Sequence, residues 1–120
     1  MHTPMEIVEE RAGDVTILRL KGRLELDDGD LVLRKHVDDL VAAGRVNVVL
    51  DMTDVTRMDS AGIGMLVGKY MTVKNRGGML RLLHLTDKTS RLLHVTRLET
   101  VFEIFEEEAA VIQSFGGRGA

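Results

Sequence analysis

The residues best suited to chemistry lie in one segment, 50–64, with the sequence LDMTDVTRMDSAGIG. An apolar stretch precedes it and an apolar helical pattern follows it, which places its polar side chains at the carboxyl end of a strand. Open α/β sheets usually bind ligands and partners at that end. Ser60 would lie in the first turn of the helix, where unpaired backbone N–H groups favour an attached phosphate.

The same segment also has an ordinary structural interpretation. Asp59 and Ser60 are both good N-cap residues, and a helix needs a cap whether or not the serine is modified. Gly62 and Gly64 would then serve only close packing of the helix on the sheet. From the residue types alone, the structural interpretation is the more frequent one for so short a motif.

Three other features of the segment leave alternatives open. Met58 and Met65 are candidates for an adaptable apolar binding surface, and filling of the core explains them equally well. Arg57 is either a partner for a phosphate or a solvated side chain. We expect Asp51 to be structural, capping the loop near Ser60.

Other kinds of site find no support in the sequence. The chain has no cysteine, its four histidines lack metal-ligand spacing, and no nucleophile stands with a base in a recognisable context. The glycines at 62 and 64 lack the remainder of a dinucleotide or phosphate-loop fingerprint. We therefore expect no metal, no cofactor and no enzymatic activity.

Composition indicates a small cytoplasmic protein. The 120 residues are 44% hydrophobic, so they can bury a core, and the net charge of −3 comes from interspersed acids and bases. No basic stripe indicates nucleic acid, and no apolar stretch is long enough for a membrane span or resembles a signal peptide. We expect one domain over residues 1–115 and a flexible, glycine-rich tail over 116–120.

Strand and helix patterns alternate along most of the chain. They predict strands at 5–9, 15–20, 46–50, 79–85 and 101–104, with a loop over 51–59. They predict helices from the acidic run 27–30 to Gly44, around 63–70, at 87–94 and at 106–115. The order β-β-α-β-α-β-α-β-α is typical of an α/β fold with a mixed, mainly parallel sheet, one antiparallel edge strand and about four flanking helices.

The segment 50–64 resembles the signature of the STAS domain family, and specifically of its anti-sigma factor antagonists. That signature is an apolar strand, Asp-Leu/Met-Ser/Thr, a short loop and Asp-Ser-x-Gly-Leu/Ile-Gly. Here it is matched by Asp51-Met52-Thr53 and by residues 59–64, and the similarity continues through 65–70 to the glycine pair 77–78. Family members often have a second hydroxyl residue after the serine, where this chain has Ala61.

The resemblance implies a partner-switching function rather than catalysis. The unphosphorylated protein would bind an anti-sigma factor that is also a serine kinase, and a sigma factor would be freed. Phosphorylation of Ser60 would end binding, and a serine phosphatase would reset the protein. The implied partner-binding residues form one continuous stretch with two flanking methionines: Met58, Asp59, Ser60, Ala61, Gly62, Ile63, Gly64 and Met65.

Two other functions remain open within the same family. The first is a scaffold or regulatory subunit, in which such domains assemble into a larger signalling complex. The second is a regulatory domain that binds a small ligand or nucleotide, which the missing phosphate-cradling loop disfavours. For the antagonist we expect a monomer or weak dimer.

Overall fold

A five-stranded mixed sheet organises the chain, in a computed structural model that describes residues 3–116. The strands are β1 Glu6–Ala12, β2 Val15–Leu24, β3 Asn47–Met58, β4 Met79–Leu83 and β5 Ile104–Phe105. The helices are α1 Gly29–Ala42, α2 Ser60–Asn75, α3 Asp87–Val95 and α4 Glu108–Phe115. Within these residues no helix is long and apolar enough to cross a membrane. Most of the predicted tail, residues 117–120, lies outside the described residues.

The sheet order confirms the predicted topology. The strands lie in the order β1-β2-β3-β4-β5, with β1 antiparallel to β2 and each later pair parallel. Strands joined through a helix on one face are expected to pair in parallel, since each crossover returns the chain to the same end of the sheet. The carboxyl ends of β2 and β3 therefore meet at one edge, where α1 and α2 begin.

Helices cover the two faces of the sheet unequally. Leu18, Leu50 and Leu82 pack in the larger core cluster with the apolar residues of α1, α2 and α3. On the opposite face Val49 packs in a smaller cluster with Val111 of α4. Both faces of β2 and β3 are buried over their first halves, which explains why their sequences are apolar without clear alternation.

Two helix ends follow their sequence signals. Gly44 has φ 81°, its N–H donates to Val41 O (3.0 Å), and the Arg45 N–H donates to Leu40 O (2.8 Å), which is a Schellman termination of α1. Thr86 caps α3 by exchanging hydrogen bonds with Thr89. The termination at Gly44 and the start of α3 at Asp87 agree with the helix limits predicted from sequence.

The predicted loop over 51–59 is wrong, because β3 continues to Met58. The second half of β3 pairs only with β2, from Lys21–Asp54 to Leu24–Met58, across register shifts, whereas β4 ends opposite Asp51. We call residues 21–24 and 54–58 the sheet extension. Its side chains are mostly polar because, apart from buried Met52 and Val55, little of β3 beyond β4 is covered.

The last strand and last helix are also displaced from their predicted positions. A short 3₁₀ turn occupies Leu98–Thr100, and only Ile104 and Phe105 pair with β4. The strand predicted over 101–104 is therefore wrong in position, and α4 begins at Glu108 rather than 106. A two-residue edge strand leaves too few side chains for a period of two to be recognised.

Candidate functional site

Ser60 is the first residue of α2 and is exposed to solvent. β3 ends at Met58, and Asp59 then leaves the strand in an extended conformation and caps the helix, its Oδ1 accepting from the Gly62 N–H at 2.9 Å. The capping function thus belongs to Asp59 and not to Ser60. Among the described residues the Ser60 hydroxyl has no hydrogen-bond partner, and the residue is accessible to solvent.

The two glycines of the motif have different surroundings. Gly62 is buried, and a Cβ atom there would lie 2.2 Å from the carbonyl oxygen of Leu24. Gly64 is exposed, and a Cβ atom there would meet nothing within 4 Å. Gly62 therefore serves internal packing of α2 on β2. Gly64 leaves an open helix surface one turn beyond Ser60.

The two methionines of the segment, Met58 and Met65, also differ in burial. Met65 is 3% exposed and belongs to the larger core, so core filling is the correct interpretation for it and an exposed binding surface is not. Met58 is half-buried and lines a groove of about 270 Å³ together with Leu92 and Val95 of α3, and the polar residues of its lining are Lys88, Thr89 and Arg91. Val95 is 71% exposed, so this groove presents apolar surface near the start of α2. Ala61 and Ile63 are half-buried.

The turn between β2 and α1 is attached to the same place. Asp59 Oδ2 accepts from the backbone N–H of Leu26 at 3.0 Å, and Arg57 Nε lies 3.3 Å from Glu25 Oε2. Arg57, which had two interpretations, is thus in an ion pair while 64% of its side chain stays exposed. Sequence reasoning missed this turn, whose one signal is a leucine within an acidic run.

Asp51 does not cap a loop near Ser60, which corrects the prediction for it. It lies within β3, seven residues before Met58, or about 23 Å along an extended strand. Its carboxylate accepts from Arg19 at 2.8 Å and from the Thr53 hydroxyl at 2.6 Å. Burial raises the pKa of Asp51, but these hydrogen bonds outweigh it and leave the pKa lowered. Asp51 thus stabilises the sheet at a distance from the serine.

Asp59 is held in its charged form by the backbone. The N–H groups of Gly62 and Leu26 hydrogen-bond its carboxylate and lower its pKa. Each oxygen of the Asp59 carboxylate accepts one backbone hydrogen bond, so Asp59 ties the turn before α1 to the start of α2.

We expect Asp59 to titrate below the ordinary aspartate value near 3.9, as measured by carboxyl ¹³C chemical shift against pH. Because the pKa of Asp59 is lower in the folded protein than in the unfolded protein, the charged carboxylate stabilises the fold at pH values above the unfolded pKa. That stabilisation is lost as the pH falls through the folded pKa. The stability difference between wild type and Asp59→Asn should therefore shrink on acidification. An Asp59 titration above pH 4 would contradict the two hydrogen bonds.

The chain matches one family over most of its length. The model of the STAS domain family matches residues 6–111. The anti-sigma F factor antagonist of Paenibacillus polymyxa is 28% identical over 105 residues, which cover 87% of this chain and 89% of that protein. The anti-sigma-B factor antagonist of Bacillus subtilis strain 168 is 28% identical over 106 residues, covering 88% and 94% respectively.

Solved structures share the fold. An anti-sigma factor antagonist from Mycobacterium paratuberculosis has a TM-score of 0.80 at 19% identity, covering 97% of this chain and 99% of that one. The Bacillus cell fate determinant SpoIIAA in its phosphorylated form has a TM-score of 0.70 at 18% identity, covering 91% and 99%. At these identities the likeness establishes the arrangement of strands and helices.

Proposed function

Because the chain belongs to the STAS domain family, we propose that it is an anti-sigma factor antagonist controlled by phosphorylation of Ser60. In its unphosphorylated form it binds an anti-sigma factor that is also a serine kinase, and a sigma factor is thereby freed. The kinase transfers a phosphate to Ser60 and the complex dissociates. A serine phosphatase restores the binding form.

The observation that carries this proposal is the presentation of Ser60. The hydroxyl is exposed and without a hydrogen-bond partner among the described residues, at the first position of a 16-residue helix. Backbone N–H groups at such a position stabilise a phosphate, so the modified protein keeps its fold. The relatives named as anti-sigma factor antagonists support the identity of the partner.

The surface around Ser60 suits a protein partner. The groove beside Met58 and the exposed side chain of Val95 supply apolar area. Gly64 leaves the helix surface open for close approach. Removing this apolar area from water when a partner binds makes the free energy of association more favourable. The proposed contact surface is therefore the start of α2 together with the α3 groove, and excludes buried Gly62 and Met65.

Phosphorylation acts through charge at this surface. A phosphoserine brings a charge of about −1.5 to −2 at neutral pH. It would lie on the residue that directly follows Asp59, whose carboxylate is charged, and it would have to be desolvated under the partner. Local repulsion and desolvation are sufficient to end binding without refolding.

The proposal is tested by incubating the protein with ATP and the serine kinases of the same genome, followed by intact-mass measurement. We expect one phosphate on the wild type and none on Ser60→Ala. Ser90→Ala is the matched control, because Ser90 is also an exposed helical serine and its loss should leave the gain of one phosphate unchanged. If no kinase modifies the wild type, or if Ser60→Ala is modified equally, the proposed function is wrong.

A further inference from the structure

The turn between β2 and α1 carries an exposed apolar side chain. The Asp28 N–H donates to Glu25 O at 3.1 Å and closes a tight turn, in which Asp27 has φ 58°, a left-handed conformation that aspartate tolerates. Leu26 lies inside this turn with 64% of its surface exposed. Because the turn is closed by its own hydrogen bond, Leu26 loses little conformational freedom when a partner covers it.

Three contacts attach this turn and the end of β2 to the segment that presents Ser60. Asp59 N–H donates to Leu24 O (3.3 Å), Asp59 Oδ2 accepts from Leu26 N–H (3.0 Å), and Arg57 pairs with Glu25 (3.3 Å). The Leu26 backbone is therefore hydrogen-bonded to the residue that directly precedes the serine. We therefore expect a protein surface that closes over Ser60 to reach this turn as well.

We propose that Leu26 is an apolar anchor of the surface that binds the anti-sigma factor, and that Asp59 is the positioning residue that holds it beside Ser60. The inference rests on the proposed function. It commits to one occupant, an apolar pocket on the anti-sigma factor adjacent to the place where that protein meets Ser60. The continuity of backbone hydrogen bonds from Leu26 through Asp59 to the start of α2 is the reason for that choice.

The first test compares Leu26→Ser with Val8→Ser. Val8 is a matched control because it is 57% exposed but lies on β1, the opposite edge strand from β5 and separated from β3 by β2. Affinity for the purified anti-sigma factor is measured by titration calorimetry on unphosphorylated protein. We expect Leu26→Ser to bind about tenfold more weakly, as loss of a buried leucine implies, and Val8→Ser to bind within about twofold of wild type.

The outcomes separate the inference from the proposed function. Wild-type affinity in Leu26→Ser, or an equal loss in Val8→Ser, overturns the inference while the function stands. If the wild type neither binds the anti-sigma factor nor accepts a phosphate, the proposed function itself is wrong and the inference falls with it. Since both side chains are exposed, neither substitution removes a core contact.

The second test concerns Asp59 and uses Asp59→Asn. Asparagine caps helices about as well as aspartate but offers one oxygen in place of two. We expect the cap at Gly62 to persist, the Leu26 N–H to exchange faster with solvent, and the affinity to fall. The double variant Leu26→Ser/Asp59→Asn should bind no more weakly than Leu26→Ser alone. Additive losses, or unchanged exchange at Leu26, would overturn the positioning role.

Discussion

Phosphorylated protein is expected to bind the anti-sigma factor at least about 100-fold more weakly than unmodified protein, a change of about 2.7 kcal/mol. The added charge lies beside the Asp59 carboxylate, whose oxygens already accept from Gly62 and Leu26 and cannot turn away without losing those bonds. The Ser60 hydroxyl makes no hydrogen bond among the described residues, so Ser60→Ala should bind like wild type. Ser60→Asp, with a single charge, should show a smaller loss than the phosphoserine.

The amide NMR spectrum distinguishes local repulsion from refolding. Phosphorylation should shift the signals of residues 57–64 and of the attached turn 25–28, and leave those of α4 unchanged. A phosphate at the start of α2 is favourable for the helix, so the free energy of unfolding should not fall. Changes across the whole spectrum, or equal affinity of the two forms, would contradict this account.

Gly62→Ala is expected to lower the free energy of unfolding by about 3 kcal/mol, measured by urea denaturation. The added Cβ would lie 2.2 Å from a backbone oxygen of β2, the Leu24 carbonyl, and backbone atoms cannot move aside as the end of a side chain can. The start of α2 must therefore shift away from the strand. The same carbonyl accepts the Asp59 N–H, so the shift also disturbs the segment that presents Ser60.

Gly64→Ala is the matched control for this prediction. It lies two residues further along the same helix, where a Cβ atom meets nothing within 4 Å. Alanine in a helix interior is about 0.5–1 kcal/mol more favourable than glycine, so this variant should be slightly stabilised. Equal destabilisation by both substitutions would show that the close approach of Gly62 to Leu24 does not govern stability.

The element order was predictable, while the length of β3 was not. Continuous apolar runs mark β2 and β3 where sheet neighbours and helices cover both faces. Beyond Met52 this signal ends, because β4 has ended and the side chains of Thr53, Asp54 and Thr56 meet solvent. A strand paired on one side and solvated on its faces has the composition of a loop. Its strand conformation comes from pairing with β2, which no local pattern records.

The site was predictable to the level of the motif but not of individual contacts. The motif offered Asp59 and Ser60 as alternative caps of α2, and in the structure the cap is Asp59. It could not separate Gly62 from Gly64, since their difference depends on how closely α2 approaches Leu24. Leu26 is 33 residues away from Asp59 in sequence. Its contact uses the backbone N–H, which does not depend on the residue type, so the sequence cannot indicate it.

The sheet extension places the surface that we propose binds a partner beyond most of the core of the fold. Most of its side chains lie outside the aliphatic core, and β3 is paired there with one neighbour alone. The turn 25–28 and the exposed positions of 56–64 can therefore diverge between duplicated copies of such a gene without repacking the interior. Under the proposed function, a bacterium can carry several such proteins on one scaffold that differ in partner at these exposed positions, and an engineer can exchange recognition by grafting the two short segments.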